Sequence, residues 1–218
     1  MKLAIYSGSP RGKSGNTEII MKHFINGYKS VDNDEIMYYH LNNAKDREEA
    51  VKNFGSCEMN IIVFPLYVFS MPGQVMELFE NLPKLKNSVK IGFIVHSGFP
   101  EASHSRALEK YLQSFPTKVN AEYIGTAIKG GSEGLRLMPE RMNKKLFSNF
   151  YTLGVKTAQE GILDKEIINK LAKPENFSPI TLFFIKFLSL FVDMNKYWNM
   201  LLNQNNAYDK RFDKPYKA

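Results

Sequence analysis

The chain has a single cysteine, Cys57, and only four histidines in 218 residues. One thiol excludes an internal disulfide and any iron–sulfur cluster held by cysteines alone. The scattered histidines give no ligand spacing for a metal centre. A convincing Ser/His/Asp or Cys/His set for nucleophilic catalysis is also missing. The apolar run from Ile180 to Val192 has 13 residues, too few for a bilayer span, which needs about 20. Nothing resembles a secretory leader, because Met1-Lys2 leads straight into a strand, so the expectation is a cytoplasmic protein. Internal repeats and low-complexity segments are absent from the sequence.

What is present is the composition of an ordinary soluble globular protein, 44% hydrophobic and 23% charged. The length suits one sizeable core with an appendage. A net charge of +7 raises the question of nucleic acid, but the cations are scattered and no helix carries a basic face with interleaved aromatics. A general attraction for anionic ligands is the more economical reading, with no nucleic-acid partner.

The most informative stretch is the opening. An apolar strand, Lys2 to Tyr6, runs into Ser7-Gly8-Ser9-Pro10-Arg11-Gly12-Lys13-Ser14-Gly15-Asn16-Thr17, and Glu18 to Tyr28 reads as a helix with Ile20, Phe24 and Gly27-Tyr28 on one face. A strand-to-helix loop of glycines, hydroxyls and cations suits a phosphate. Open backbone N–H groups and the positive end of the helix dipole favour an anion there. Ser9, Ser14, Asn16 and Thr17 supply further donors and Arg11 a forked cation. Lys13, at the loop apex, reads equally well as a solvated charge. The plain alternative is a connection with Asn16 or Thr17 as N-cap. Two nucleotide motifs fail: Gly8 and Gly12-Lys13-Ser14 are separated by three residues where the Walker loop needs four, and Ser7 and Ser9 flank a lone Gly8 where Gly-x-Gly is required.

Further strands are expected at Glu35 to Leu41, Asn60 to Pro65, Val89 to Val95 and Ala121 to Ile128. Helices are expected at Asp46 to Phe54, Pro72 to Leu82 (Val75, Met76, Phe79 and Leu82 inward) and Ala102 to Phe115 (Leu108, Tyr111, Leu112 and Phe115 in register). A long helix after Gly134 is expected to carry Leu135, Met138, Met142, Leu146, Phe150 and Leu153. Asn60-Ile61-Ile62-Val63-Phe64 is apolar without alternation, as in a parallel strand covered on both faces. Strands alternating with helices five times predict an α/β, doubly wound open sheet, in which ligands bind beyond the carboxyl ends of the strands.

Gly-Ser-Pro-Arg followed by Gly-Asn-Thr resembles the phosphate loop of the flavodoxin-like NAD(P)H-dependent FMN reductase family. Pro65-Leu66-Tyr67-Val68-Phe69-Ser70-Met71-Pro72-Gly73 is similar to that family's loop against the isoalloxazine ring. The likeness covers about the first 155 residues. It implies a five-stranded flavodoxin-like sheet in the order 2-1-3-4-5 and an FMN cofactor with NADPH or NADH as co-substrate. It also implies hydride transfer to a small-molecule acceptor of quinone, nitroaromatic or flavin type, and a homodimer. On this resemblance the FMN phosphate meets Ser9, Arg11, Ser14, Asn16 and Thr17. The ring rests against Pro65, Leu66, Tyr67 and Val68, and the backbone N–H groups of Ser97, Gly98 and Phe99 meet its pyrimidine edge. Glu101, His96 and His104 read as a helix N-terminal carboxylate and satisfied polar groups, while Gly130, Gly131 and Ser132 frame a nicotinamide approach. The rival readings are a flavodoxin-like electron carrier that does not turn over NAD(P)H, and a non-enzymatic assembly role.

Residues 161–218 are expected to form a helical extension to a domain spanning 1–160. Leu163 to Ala172 reads as a short helix and Ile180 to Val192 as one apolar almost all round, open to three roles: packing on the domain or across a dimer, a lid, or a membrane-surface anchor. The end bearing Trp198, Tyr208, Phe212 and Tyr216 reads as polar and irregular.

Overall fold

The computed structural model describes residues 1–85, 89–191 and 195–216. Five strands, β1 Leu3–Ser7, β2 Met37–His40, β3 Met59–Pro65, β4 Lys90–His96 and β5 Glu122–Lys129, form one sheet in the order β2-β1-β3-β4-β5. Every pairing is parallel. Each residue of β1 and β3 is buried, as expected for central strands covered on both faces. The alternating side chains divide the core in two. Tyr6, Ile62, Phe64, Phe93 and Val95 pack under α2 Ala44–Asn53, α3 Gly73–Asn81 and α4 Arg106–Lys118. Leu3, Ile5, Ile61, Val63 and Ile94 pack under α1 Asn16–Lys29, α5 Glu140–Glu160 and α6 Lys165–Leu171.

Local chemistry sets the ends of these helices. Asn43 caps α2 by accepting from the Lys45 and Asp46 N–H groups, and Asp164 caps α6 by accepting from Ile167. Three expectations need correction. The long helix begins at Glu140 and not soon after Gly134, because Pro139 occupies the N-cap; Leu135 is buried in the preceding turns, while Met138 and Met142 are exposed. Residues 102–105 form a 3₁₀ turn before α4, and Tyr111 on that helix is exposed. On α3 the buried residues are Val75, Leu78 and Phe79, with Met76 exposed.

The chain divides into two compact units, residues 1–176 and 177–218. The first includes α6, because Leu163, Ile167 and Leu171 complete the core beside Ile124 of β5. In the second, α7 Pro179–Leu188 starts at Ser178, whose side chain accepts from Thr181 N–H, and none of its residues is buried. Val192, the last residue of the expected apolar helix, lies outside the described residues. The segment expected to be irregular contains a further helix, α8 Lys196–Gln204.

Helices α1 and α5 touch through two glycines. A Cβ on Gly27 would overlap the carbonyl of Tyr151, and one on Gly154 would overlap that of Phe24. The backbones themselves are in contact, so neither side can yield by a rotamer change. Gly27→Ala and Gly154→Ala should each destabilise the protein by roughly 1–3 kcal/mol or more, as overpacking does, measured as a fall in the urea midpoint. Unchanged midpoints would show that the two helices can separate without loss.

Candidate functional site

The carboxyl ends of β1, β3, β4 and β5 lie along one edge of the sheet, and their loops meet there. Ser9, Arg11, Asn16, Thr17, Pro65, Leu66, Tyr67, Ser97 and Gly98 line a single cleft together with His96, Ser132 and Glu133. Of the residues expected in a site, Ser14, Val68 and Phe99 fall outside this lining. The cleft is narrow, about 30 Å³. A groove of about 630 Å³ along α3 and α4 is larger, but it contains none of these polar groups.

The first loop is organised by its own backbone. Gly12, Ser14 and Gly15 N–H groups donate back to Ser9, Arg11 and Gly12 carbonyls, and Arg11 N–H donates to Ser9 Oγ at 3.3 Å. The N-cap of α1 is Gly15, not Asn16 or Thr17, and it provides no side-chain acceptor. Among the described hydrogen bonds, the N–H groups of Ser9, Asn16 and Thr17 have no partner. An uncapped first turn beside Arg11 can bind an anion through main-chain donors.

The side chains behave differently from the donor set read in the sequence. Ser14 Oγ donates to Arg11 O at 2.9 Å. Asn16 Nδ2 donates to Ser132 O and Glu133 O at 2.8 and 3.1 Å, and its Oδ1 is buried without a partner. Arg11 pairs with Glu133 at 3.5 Å. Ser9, whose Oγ accepts from Arg11, keeps its own proton to donate. The loop therefore offers an anion the Ser9 hydroxyl, the Arg11 guanidinium and three N–H groups, while Asn16 and Thr17 hold the loop in place.

His96 occupies the centre of that scaffold. Ser132 Oγ donates to the carbonyl of Ser97 at 2.9 Å, since a carbonyl can only accept. Its single proton is thereby used, so towards His96 Nδ1, 2.8 Å away, it accepts. His96 thus carries its proton on Nδ1, and Nε2 accepts from Thr17 Oγ1 at 2.7 Å. This chain ties the start of α1 to the loops after β4 and β5. Complete burial, with the Arg11 charge nearby, pushes the His96 pKa down to about 4.

The other walls come from β3 and β4. Leu66 N–H donates to His96 O at 2.7 Å. Tyr67 and Ser70 exchange backbone hydrogen bonds of 2.9 Å around Val68 and Phe69, whose φ values are +48° and +61°. Such a turn usually takes Asn-Gly, and a β-branched valine at positive φ is strained. Val68 is 91% exposed and does not line the cleft. Phe69 stacks on Phe99 and Phe99 on His104, at centroid distances of 5.9 and 4.4 Å. Ser97 N–H donates to Lys129 O at 3.0 Å and so faces β5. Gly98 and Phe99 N–H remain without a partner among the described hydrogen bonds.

No protein-family model and no curated protein matches the sequence. Solved structures do match. An FMN-dependent NADH-azoreductase from Bacillus anthracis, in complex with FMN, aligns over 72% of this chain and 99% of its own, with 16% identity and a TM-score of 0.56. An NAD(P)H:quinone oxidoreductase from Methanothermobacter marburgensis aligns over 72% and 96%, with 12% identity and a TM-score of 0.55. An NADH:FMN oxidoreductase in its apo form aligns over 83% and 92%, with 15% identity and a TM-score of 0.55. The chain has their flavodoxin-like fold. The strand order inferred from the opening motif is the observed one.

Neutral His96 links stability to pH. The unfolded chain takes up this proton near pH 6.5, the folded chain only near 4, so between these values the unfolded state binds more protons. Stability is complete above about pH 6.5 and falls as the pH drops towards 4. The loss attributable to this residue is about 3 kcal/mol. Urea unfolding of wild type and His96→Asn across pH 7.5 to 4.5 should show a shallower acid loss in the variant. Parallel pH dependences would remove His96 from this role.

Proposed function

We propose that this protein is an FMN-dependent NAD(P)H oxidoreductase that passes hydride from a nicotinamide cofactor to a small acceptor of quinone, nitroaromatic or flavin type. The observation that carries the reading is the uncapped first turn of α1, with open N–H groups at Asn16 and Thr17, joined by the open Ser9 N–H of the preceding loop and by Arg11 beside them. It lies at the carboxyl edge between β1 and β3, where the strand order reverses. These groups fit the phosphate of FMN. Gly98 N–H in the cleft fits the acceptor-rich pyrimidine edge, with Phe99 N–H next to the lining as a second open donor, and Pro65, Leu66 and Tyr67 a ring wall.

When bound, FMN supplies the hydride chemistry, taking hydride from NAD(P)H and delivering it to the acceptor. The protein binds, orients and tunes. Arg11 would hold the phosphate in exchange for its contact with Glu133, and the N–H donors near the ring would orient it and tune its electronics. No protein acid or base is needed for the first half-reaction, which agrees with a buried histidine already engaged on both ring nitrogens.

The reading extends to a homodimer, supported by the exposed apolar side chains of α7. It extends also to a cytoplasmic setting. Among the described residues, no helix is long and apolar enough to cross a membrane.

The test is an anaerobic absorbance titration of the FMN-loaded protein. Fast bleaching of bound flavin by NADPH or NADH is expected. Bound flavin that stays oxidised with both donors would make the protein an electron carrier instead, and failure to bind FMN would remove the reading altogether. Arg11→Ala should weaken FMN binding by about 1.5–3 kcal/mol, the size of a charge-assisted bond; an unchanged dissociation constant would place the phosphate elsewhere.

A further inference from the structure

A second cleft, about 470 Å³, opens beside the candidate site on the far side of β5. Its lining combines Lys129, Lys145, Lys170 and Lys173 with Met142, Leu146, Leu171 and Asn149. The sequence places them together for simple reasons. Met142, Lys145, Leu146 and Asn149 are spaced three and four apart and share one face of α5. Lys170, Leu171 and Lys173 approach from the end of α6. Lys129 is the last residue of β5.

The charges are unbalanced. Lys170 pairs with Glu166 at 2.6 Å, but among the described residues no carboxylate forms an ion pair with Lys129, Lys145 or Lys173. Lys129 is the telling group. It is partly buried, and burial alone, without any acidic neighbour, pushes its pKa below the usual lysine range. A desolvated ammonium without a counter-ion destabilises the fold unless an anion reaches it. Exposed Lys145 and Lys173 on the rim add attraction, and Leu146 and Leu171 form an apolar floor for a flat, uncharged body. Together these select an organic polyanion.

Position identifies its kind. Lys129 is paired across the sheet with His96, and its carbonyl receives the Ser97 N–H at 3.0 Å. Adjacent strands are about 4.8 Å apart, so the cleft starts one strand away from the flavin site. We propose that this lysine cleft binds the adenylate end of the nicotinamide cofactor, with Lys129, Lys145 and Lys173 meeting the 2′-phosphate and diphosphate, and that it makes the protein prefer NADPH to NADH. The inference rests on the nicotinamide-dependent reading above, while the site itself holds no part of the flavin.

The test uses adenosine 2′,5′-bisphosphate as probe, with adenosine 5′-monophosphate and inorganic sulfate as controls, in calorimetric titrations of the full chain. The bisphosphate should bind at least tenfold more tightly than the monophosphate, with an affinity that falls as salt rises. It should lose at least tenfold in Lys129→Gln/Lys145→Gln/Lys173→Gln. The rim variant Lys145→Glu/Lys173→Glu, which leaves the partly buried lysine intact, should lose at least as much. In FMN-loaded protein the rim variant should raise KM for NADPH severalfold more than it raises KM for NADH, which shares the diphosphate but lacks the 2′-phosphate, with kcat unchanged. Equal affinity for the two adenylates, displacement of the bisphosphate by equimolar sulfate, or unaltered binding in the variants would overturn the proposal. Because the probe carries no flavin or nicotinamide, its binding is read even where FMN fails to bind. Flavin bleaching by NADPH without probe binding would sink this inference alone.

Discussion

The structure depends on where helix α1 begins. Its first amides point beyond the carboxyl edge of the sheet without a side-chain cap, and everything around them holds that arrangement. Gly27 and Gly154 let α1 lie backbone to backbone against α5, which fixes the helix axis. Thr17 is anchored through His96 to Ser132, which fixes its starting turn. The unmet donors of the helix are thus not an oversight of capping. They are a positive locus held rigidly beside three other loops, and an anion is the natural partner for it.

Polar groups in the cleft divide into those that build it and those that face a ligand. Had Asn16 and Thr17 pointed outward, the loops after β4 and β5 would lose their ties to α1. Instead their side chains join the loops, and the main chain faces the cleft. This division suits a cofactor that must be held in one orientation, because the side chains that tie the loops together keep the main-chain donors aimed at one place. Arg11 and Glu133 are the exception: their contact is long and at the surface, so it costs little to exchange.

Much of the fold is legible in the sequence. Ser7-Gly8-Ser9-Pro10-Arg11 and Gly15-Asn16-Thr17 mark a strand-to-helix loop rich in donors, and the unalternating Asn60 to Phe64 marks a central parallel strand. The loops expected to meet did meet. What could not be read were partnerships across distance. His96 meets Thr17 and Ser132, which are 79 and 36 residues away, and no local pattern records that. Glu133 is likewise visible only once the loop after β5 folds back over Arg11. The turn at Val68 and Phe69 is hidden because it lacks the Asn-Gly usual for its geometry, and Pro139, which delays α5, interrupts an apolar spacing that runs on through it from Leu135 to Met142. The lysine cleft draws its residues from β5, α5 and the end of α6, so its charge is diluted in sequence and concentrated only in space.

The most direct test is an amide chemical-shift titration of the isotope-labelled protein with FMN, paired with phosphorus spectra of the ligand. The amides of Ser9, Asn16, Thr17, Gly98 and Phe99 should move most and the phosphate resonance should shift on binding, while the Ser97 amide, already bonded to Lys129 O, should move little. FMN that binds while shifting a different set of amides, or leaves the α1 start untouched, would contradict the account.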